Sequence, residues 1–198
     1  RAASGDAGLA GRRRQPAARQ GGPALLAWRL RWPTATVEAG HYCLPLPRAR
    51  SESTHGEMAH FALITVRPID SEGVDGVGYT VTTGQAGLAI WALIEQDLAP
   101  HLVGSDPERI EAIWQKMWWH LHYPGRGGTA AFAISAIDIA LWDLRARRLG
   151  QPLWRLLGGH DPRVPAYAGG VDLYYTIDEL LAQTRDNLAK GFRAIKMK

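Results

Sequence analysis

The C-terminal part of the chain carries the pattern that most restricts its fold. The apolar run 164–167 predicts a strand, the amphipathic run 176–190 predicts a helix that Gly191 ends, and the apolar run 192–198 predicts a second strand. Strand, helix and strand at this spacing form a βαβ unit, whose two strands lie parallel. A two-stranded parallel sheet is not stable alone, so we expect more such units beyond residue 198 in the complete protein.

Strand patterns dominate the chain before residue 86. Apolar residues alternate with small or basic ones over 24–45, which predicts a half-buried strand, whereas the polar stretch 46–58 predicts a surface loop. The β-rich runs 61–66 and 74–81 flank turn residues and predict a hairpin. The loop 81–87 follows.

Helix patterns dominate from residue 86 to the βαβ unit. Four segments combine helical apolar spacing with start or stop signals, and these are 86–99, 105–122, 129–149 and 152–157. Pro100 is expected to end the first of them. The first half of the segment 129–149 is almost wholly apolar, so we expect it to be the core helix.

Composition excludes several classes of protein. The segment 1–24 holds five Arg and one Asp, and the rest of the chain has 18 basic and 18 acidic residues, so the net charge of +4 gives no reason to expect nucleic-acid binding. That segment is predicted to be disordered or a non-native extension. No apolar run approaches the roughly 18 residues of a membrane span. The single Cys43 excludes a disulfide framework and fits a cytoplasmic protein.

Two lysines lie on one face of the last predicted strand. Because side chains alternate along a strand, Lys196 and Lys198 project to the same side. Two ammonium groups placed in this way repel each other, which favours the neutral amine at one of them, and a neutral lysine can act as a general base near pH 7. Taken alone, the pattern also fits a solvated strand end.

Two further residues are candidates for substrate contacts. His55 lies in the predicted loop 46–58, and Arg126 lies between glycines. Loops often carry recognition residues, but a solvent-facing side chain is the alternative for each of them.

The spacing of the possible metal ligands does not favour a metal site within the chain. His120 and His122 point apart on a helix, unlike the i, i+4 pair that binds zinc. Asp138 and Asp143 are five residues apart and lie well off one helix face. We expect Asp138 and Asp143 to be buried partners for backbone or Arg groups, with Asp143 able to pair with Arg147.

The segment 133–159 resembles one enzyme family. It reads Ala-Ile-Ser-Ala-Ile-Asp-Ile-Ala-Leu-Trp-Asp-Leu-Arg-Ala over 133–146, and it continues with Leu-Gly-Gln-Pro-Leu and Leu-Leu-Gly-Gly. This run is similar to the mandelate racemase group of the enolase superfamily. The segments Val-Pro-Ala-Tyr at 164–167 and Gly-Phe-Arg-Ala-Ile-Lys-Met-Lys at 191–198 match the same group in the same order. The resemblance covers about 25–198.

The resemblance implies an α+β capping domain over 25–160, followed by the first strand, helix and strand of a truncated (β/α) TIM-like barrel over 161–198. It implies that Lys198 removes or returns the proton α to a substrate carboxylate, and that Lys196 lies beside that carboxylate. Mg²⁺ is the implied cofactor, because it stabilises an ene-diolate. Its ligands and an opposing His–Asp base are expected beyond residue 198, so we expect the 198-residue chain alone to be inactive.

The resemblance leaves the reaction open. The capping loops near 47–58 and 81–87 help to set specificity in this family, and their polar character here favours an acid-sugar (aldonate or aldarate) dehydratase. Racemases, epimerases and lactone-forming cycloisomerases share the Lys-x-Lys pattern, and an inactive truncated fragment is a further alternative. The predicted partners are a small carboxylate substrate and, for the complete protein, further copies in a homo-oligomer. Nucleic acid and membrane are not expected.

Overall fold

Three antiparallel strands form a sheet in the order β1-β2-β3. The computed structural model describes residues 32–170 and 172–197, so the predicted extension 1–24, the start of the predicted strand 24–45 and Lys198 lie outside the described residues. The strands are β1 Thr34–Glu52, β2 Gly56–Asp70 and β3 Gly78–Thr82. The predicted hairpin between the runs 61–66 and 74–81 is confirmed.

The predicted loop 46–58 is wrong, because these residues form the distal part of a long hairpin. Strand β1 pairs with β2 as far as Glu52 opposite Gly56, and only a short turn separates them. Most side chains of this part are exposed on both faces of the ribbon. Because only Glu52 and Met58 of this part are buried, the sequence has no apolar alternation to mark the strands.

The core lies between the inner face of the sheet and a long helix. Helix α4 spans Thr129–Arg148, and it buries nine side chains, as expected for the core helix. On the sheet, Ala62, Ile64 and Val66 of β2 are at most 2% exposed. The prediction that 129–149 is the core helix is therefore confirmed.

Two glycines let β3 lie directly against α4. A Cβ atom at Gly78 would stand 2.0 Å from the Ala136 carbonyl oxygen, and one at Gly76 would stand 2.2 Å from the Ala140 carbonyl oxygen. Only glycine permits such a close approach of backbone to backbone. Both glycines therefore serve the contact between sheet and helix.

The remaining helices of the domain pack around this core. They are α1 Gly87–Ala92, α2 Ala99–Leu102, α3 Ile110–His120 and α5 Leu153–Leu156. The expectation that Pro100 ends the first helix is wrong. A π-helical segment, Leu93–Leu98, separates α1 from α2, and Pro100 falls in the first turn of α2, where a backbone N–H is not needed.

A parallel strand pair lies after α5 in the chain. Strands β4 Ala168–Gly169 and β5 Ile195–Lys196 pair in parallel around helix α6 Ile177–Ala189, which confirms the predicted βαβ unit. The first strand lies after the predicted run 164–167, whose Val164 is 82% exposed and unpaired with β5. The apolar residues of 164–167 predicted a strand, whereas in the structure they are exposed. No helix in the described part of the chain is both long and apolar enough to cross a bilayer.

Candidate functional site

A cavity of about 440 Å³ opens at the end of the sheet, where the β1–β2 hairpin meets the N-terminal ends of α1 and α4. The apolar part of its wall consists of Phe61, Val81, Ile90 and Phe132. The polar part consists of His55, Thr82, Thr83, Gln85 and Thr129. Both predicted specificity loops therefore contribute to one cavity, which is of the size and mixed polarity of a small-molecule site.

The turn of the β1–β2 hairpin positions His55 at the cavity. The buried Glu52 ends β1, and its Oε2 accepts hydrogen bonds from the backbone N–H groups of Thr54 and His55, both at 3.0 Å. The same oxygen lies 2.7 Å from Nδ1 of His55. Because Glu52 engages Nδ1, Nε2 is the ring nitrogen left for a ligand.

The loop between β3 and α1 forms the opposite wall in a strained conformation. Ala86 has φ 60° and is the one non-glycine residue with positive φ in the described ranges. It precedes the first residue of α1, and its carbonyl oxygen accepts from the N–H of Ile90 at 3.0 Å. A left-handed conformation is costly for a residue with a Cβ, and such strain is concentrated at functional sites.

Arg126 does not line this cavity. Its Nε donates to the Trp118 carbonyl oxygen at 3.0 Å, and its NH2 lies 3.0 Å from Nδ1 of His122. The guanidinium also lies 4.8 Å from the ring centroid of Trp118 and 4.6 Å from that of Trp119. These contacts hold Arg126 at the C-terminal end of α3, and none of them involves His55 or the cavity.

Lys196 lies on β5 with an exposed side chain. Its carbonyl oxygen accepts a hydrogen bond from the N–H of Gly170 at 2.8 Å, so the parallel pairing with β4 fixes its backbone. Lys196 does not line the cavity that contains His55. Since Lys198 lies outside the described residues, the geometry of the lysine pair stays a prediction.

The described residues do not fit a magnesium ion. Hard cations need several oxygen ligands that converge on one point, and within residues 32–170 and 172–197 no group of three or more His, Cys, Asp and Glu does so. The Asp143 carboxylate instead pairs with Arg147 at 2.8 Å, as predicted, and accepts from the Val77 N–H. Burial, and then the nearby Glu111, raises the pKa of Asp138.

Comparisons with known proteins agree with this architecture. The family model for the N-terminal domain of mandelate racemase / muconate lactonizing enzyme matches residues 37–158. Among curated proteins, a 3,6-anhydro-alpha-L-galactonate cycloisomerase of Streptomyces coelicolor is 55% identical over 162 residues, which cover 82% of this chain and 45% of that protein. An L-talarate/galactarate dehydratase of Salmonella typhimurium is 36% identical over 142 residues, which cover 71% and 35%.

Solved structures give the same result. A racemase from Streptomyces coelicolor with bound magnesium superposes with a TM-score of 0.81 at 53% identity, covering 83% of this chain and 46% of that chain. The Salmonella typhimurium dehydratase liganded with Mg and L-lyxarohydroxamate has a TM-score of 0.78 at 32% identity, with coverages of 83% and 44%. The chain thus spans less than half the length of these relatives.

Proposed function

The chain belongs to the mandelate racemase/muconate lactonizing enzyme family of the enolase superfamily, and from that premise we propose that it is the N-terminal portion of a Mg²⁺-dependent enzyme that removes the proton α to the carboxylate of an acid sugar. Residues 25–160 would cap the active site, and residues 161–198 would begin the barrel. The observation that carries the proposal is the parallel β4–β5 pair after the capping fold, with Lys196 on β5 two residues before Lys198.

In this proposal the two lysines have different tasks. Lys198 takes the α-proton, and the ammonium group of Lys196 lies by the substrate carboxylate and favours the neutral form of its neighbour. The α-proton of a carboxylate is very weakly acidic, so a base alone is insufficient. Mg²⁺ would stabilise the negative charge that develops, and its ligands would come from residues other than the described ones.

The cavity supports a hydroxylated substrate. His55, Thr82, Thr83 and Gln85 offer hydrogen-bonding groups, and Phe61 and Phe132 offer apolar surface to the carbon skeleton. A volume of about 440 Å³ accommodates a six-carbon acid with room for water. The polar wall is therefore consistent with an acid sugar and gives no preference for an aromatic acid.

Two outcomes share the proposed proton abstraction. If the leaving group on the β-carbon is a hydroxyl, the enolate expels it and water is lost, which is the dehydratase reaction. If the β-oxygen belongs to a 3,6-anhydro ring, the same elimination opens the ring, and the product is an isomer of the substrate. The 36% identity to a dehydratase supports the first outcome, and the 55% identity to a cycloisomerase favours the second.

Product mass separates these outcomes. The full-length protein is incubated with Mg²⁺ and either galactarate or a 3,6-anhydrogalactonate, and the products are measured by mass spectrometry. Cycloisomerisation gives a keto acid of unchanged mass, and dehydration gives one that has lost water. Absence of any keto acid from a panel of aldonates, aldarates and anhydro acids would reject the proposed function.

We expect His55→Ala to weaken substrate binding more than it slows chemistry. His55 lines the cavity with Nε2 free for a substrate hydroxyl, and a hydrogen bond of this kind is worth about 1 kcal/mol, so KM should rise roughly fivefold while kcat changes little. Steady-state kinetics of the full-length protein measure both constants. His160→Ala, which removes an exposed histidine outside the cavity, is the matched control. Wild-type KM in His55→Ala would exclude His55 as a substrate contact.

A further inference from the structure

Strand β1 contains a bulge beside the candidate site. Pro45 pairs with His60 and Arg50 pairs with Met58, so residues 46–49 of β1 lie opposite the single residue Ala59 of β2. Extra residues in one strand bend it and re-aim its side chains, and such bulges are frequent next to active sites. The bulge separates the distal hairpin, residues 50–58, from the rest of the sheet.

Arg48, within this bulge, reaches the barrel portion of the chain. Its NH1 donates to Oε1 of Glu179 at 3.0 Å, across 131 positions of sequence. Its guanidinium carbon also lies 4.5 Å from the ring centroid of Tyr175. Glu179 lies in the first turn of α6, and Tyr175 lies just before that helix. Arg48 therefore fastens the hairpin to the start of α6 by an ion pair and a cation–π contact.

The Glu179 carboxylate is held in place by contacts at the start of α6 that do not involve Arg48. Glu179 Oε2 accepts from the Thr176 N–H at 2.8 Å and from the Thr176 hydroxyl at 3.1 Å, while Thr176 Oγ1 accepts from the Glu179 N–H. This capping box fixes the side chain and leaves Oε1 for the guanidinium. Hydrogen bonds from the Thr176 backbone, and then from Arg48, lower the pKa of Glu179.

We propose that Arg48 is a positioning residue that latches the distal hairpin over the candidate active site by binding Glu179 and Tyr175. The inference rests on the proposed function for its purpose. The side chains of Arg48 and Glu179 are 57% and 39% exposed. An exposed ion pair of this kind is weak, so the latch opens and closes reversibly. The distal hairpin carries His55, so opening removes one wall of the cavity and closure restores it.

The latch is tested by distances in the full-length protein. Spin labels are attached at Glu57→Cys in the distal hairpin and Arg185→Cys in α6, on a Cys43→Ser background, and pulsed electron resonance measures the distance distribution. We expect Arg48→Gln to increase the open, long-distance population by about threefold to tenfold. Glu179→Gln should act in the same direction, because glutamine keeps the capping box and removes the charge.

Non-additivity and a matched control make this test specific. The double variant Arg48→Gln/Glu179→Gln should be no more open than Arg48→Gln, because the ion pair that Glu179→Gln removes is already lost in Arg48→Gln. Arg163→Gln breaks an exposed ion pair of the same 3.0 Å length, to Asp161 within one loop, and should leave the distances unchanged. An unchanged distribution in Arg48→Gln overturns the latch.

Kinetics then show whether the latch serves the proposed function. With an acid-sugar substrate, Arg48→Gln should raise KM by the factor by which the closed population falls and change kcat less than about twofold. A shifted distribution with unchanged KM overturns the positioning role. If the wild-type protein turns over no acid sugar, the proposed function fails. The distances between the spin labels still test whether Arg48 holds the distal hairpin closed.

Discussion

Lys198→Ala in the full-length protein is expected to lower the rate of α-proton exchange by about 10²- to 10⁴-fold, which is the contribution of a positioned general base. The loss should apply to the substrate epimer whose α-proton faces strand β5, because a base on the opposite side of the substrate would serve the other epimer. Exchange of the α-proton with solvent deuterium, followed by NMR for both epimers, measures the effect. Lys190→Ala, at an exposed lysine that ends α6, is the control. Full exchange in Lys198→Ala would leave the lysine pair as packing.

Lys196→Ala should affect the same reaction in a different way. Removing a positive neighbour raises the pH at which Lys198 becomes neutral, so the pH optimum of the reaction should move to more alkaline values. Substrate binding should also weaken, because the carboxylate loses a cationic partner. A pH–rate profile with an aldonate or aldarate separates these effects, and an unshifted optimum would contradict the assignment of Lys196.

Gly78→Ala is expected to destabilise the fold by about 3 kcal/mol or more, because the added Cβ would stand 2.0 Å from the Ala136 carbonyl oxygen and 2.5 Å from the Ala140 nitrogen. These are backbone atoms of α4, so no side-chain rotation relieves the clash, and helix and sheet must separate. For a chain of this size the melting temperature should fall by about 6–12 °C. Thermal unfolding followed by circular dichroism measures the change.

Gly127→Ala is the matched control for this prediction. Gly127 is an exposed glycine whose added Cβ would meet nothing within 4 Å, and its φ lies outside the left-handed region. Its melting temperature should remain close to that of the wild-type chain. A Gly78→Ala variant that melts together with Gly127→Ala would show that α4 does not lie against β3 as described.

Local signals were sufficient for much of the fold. The capping box at Thr176 and the apolar face of α6 are encoded within one helix, and the long apolar helix α4 is evident from its composition. The distal hairpin 50–58 was not predictable in this way, because its register depends on pairing and not on a buried face. The continuation of the helix through Pro100 in α2 depends on the π-helical segment Leu93–Leu98, which no local sequence motif predicts.

The candidate site was predictable only in its polar residues. His55 was recognised as a polar loop residue, but its cavity neighbours Phe61 and Phe132 have the sequence pattern of ordinary apolar positions. Gly76 and Gly78 permit the close approach of α4, a tertiary contact that no local pattern shows. The partner of Arg48 lies 131 positions away, so only the folded chain identifies it.

Loss of an isotopic label from the substrate tests the proposed chemistry most directly. The full-length protein is supplied with Mg²⁺ and an acid sugar that carries deuterium on the carbon α to the carboxylate, and NMR follows the label in substrate, product and water. Abstraction of the α-proton predicts that the deuterium passes to solvent as the keto acid forms, and that Lys198→Ala suppresses this transfer. A keto acid that keeps the full deuterium label on the carbon β to the carboxylate, in the wild-type protein and in Lys198→Ala alike, would show transfer within the substrate and would contradict proton abstraction as the reaction of this protein.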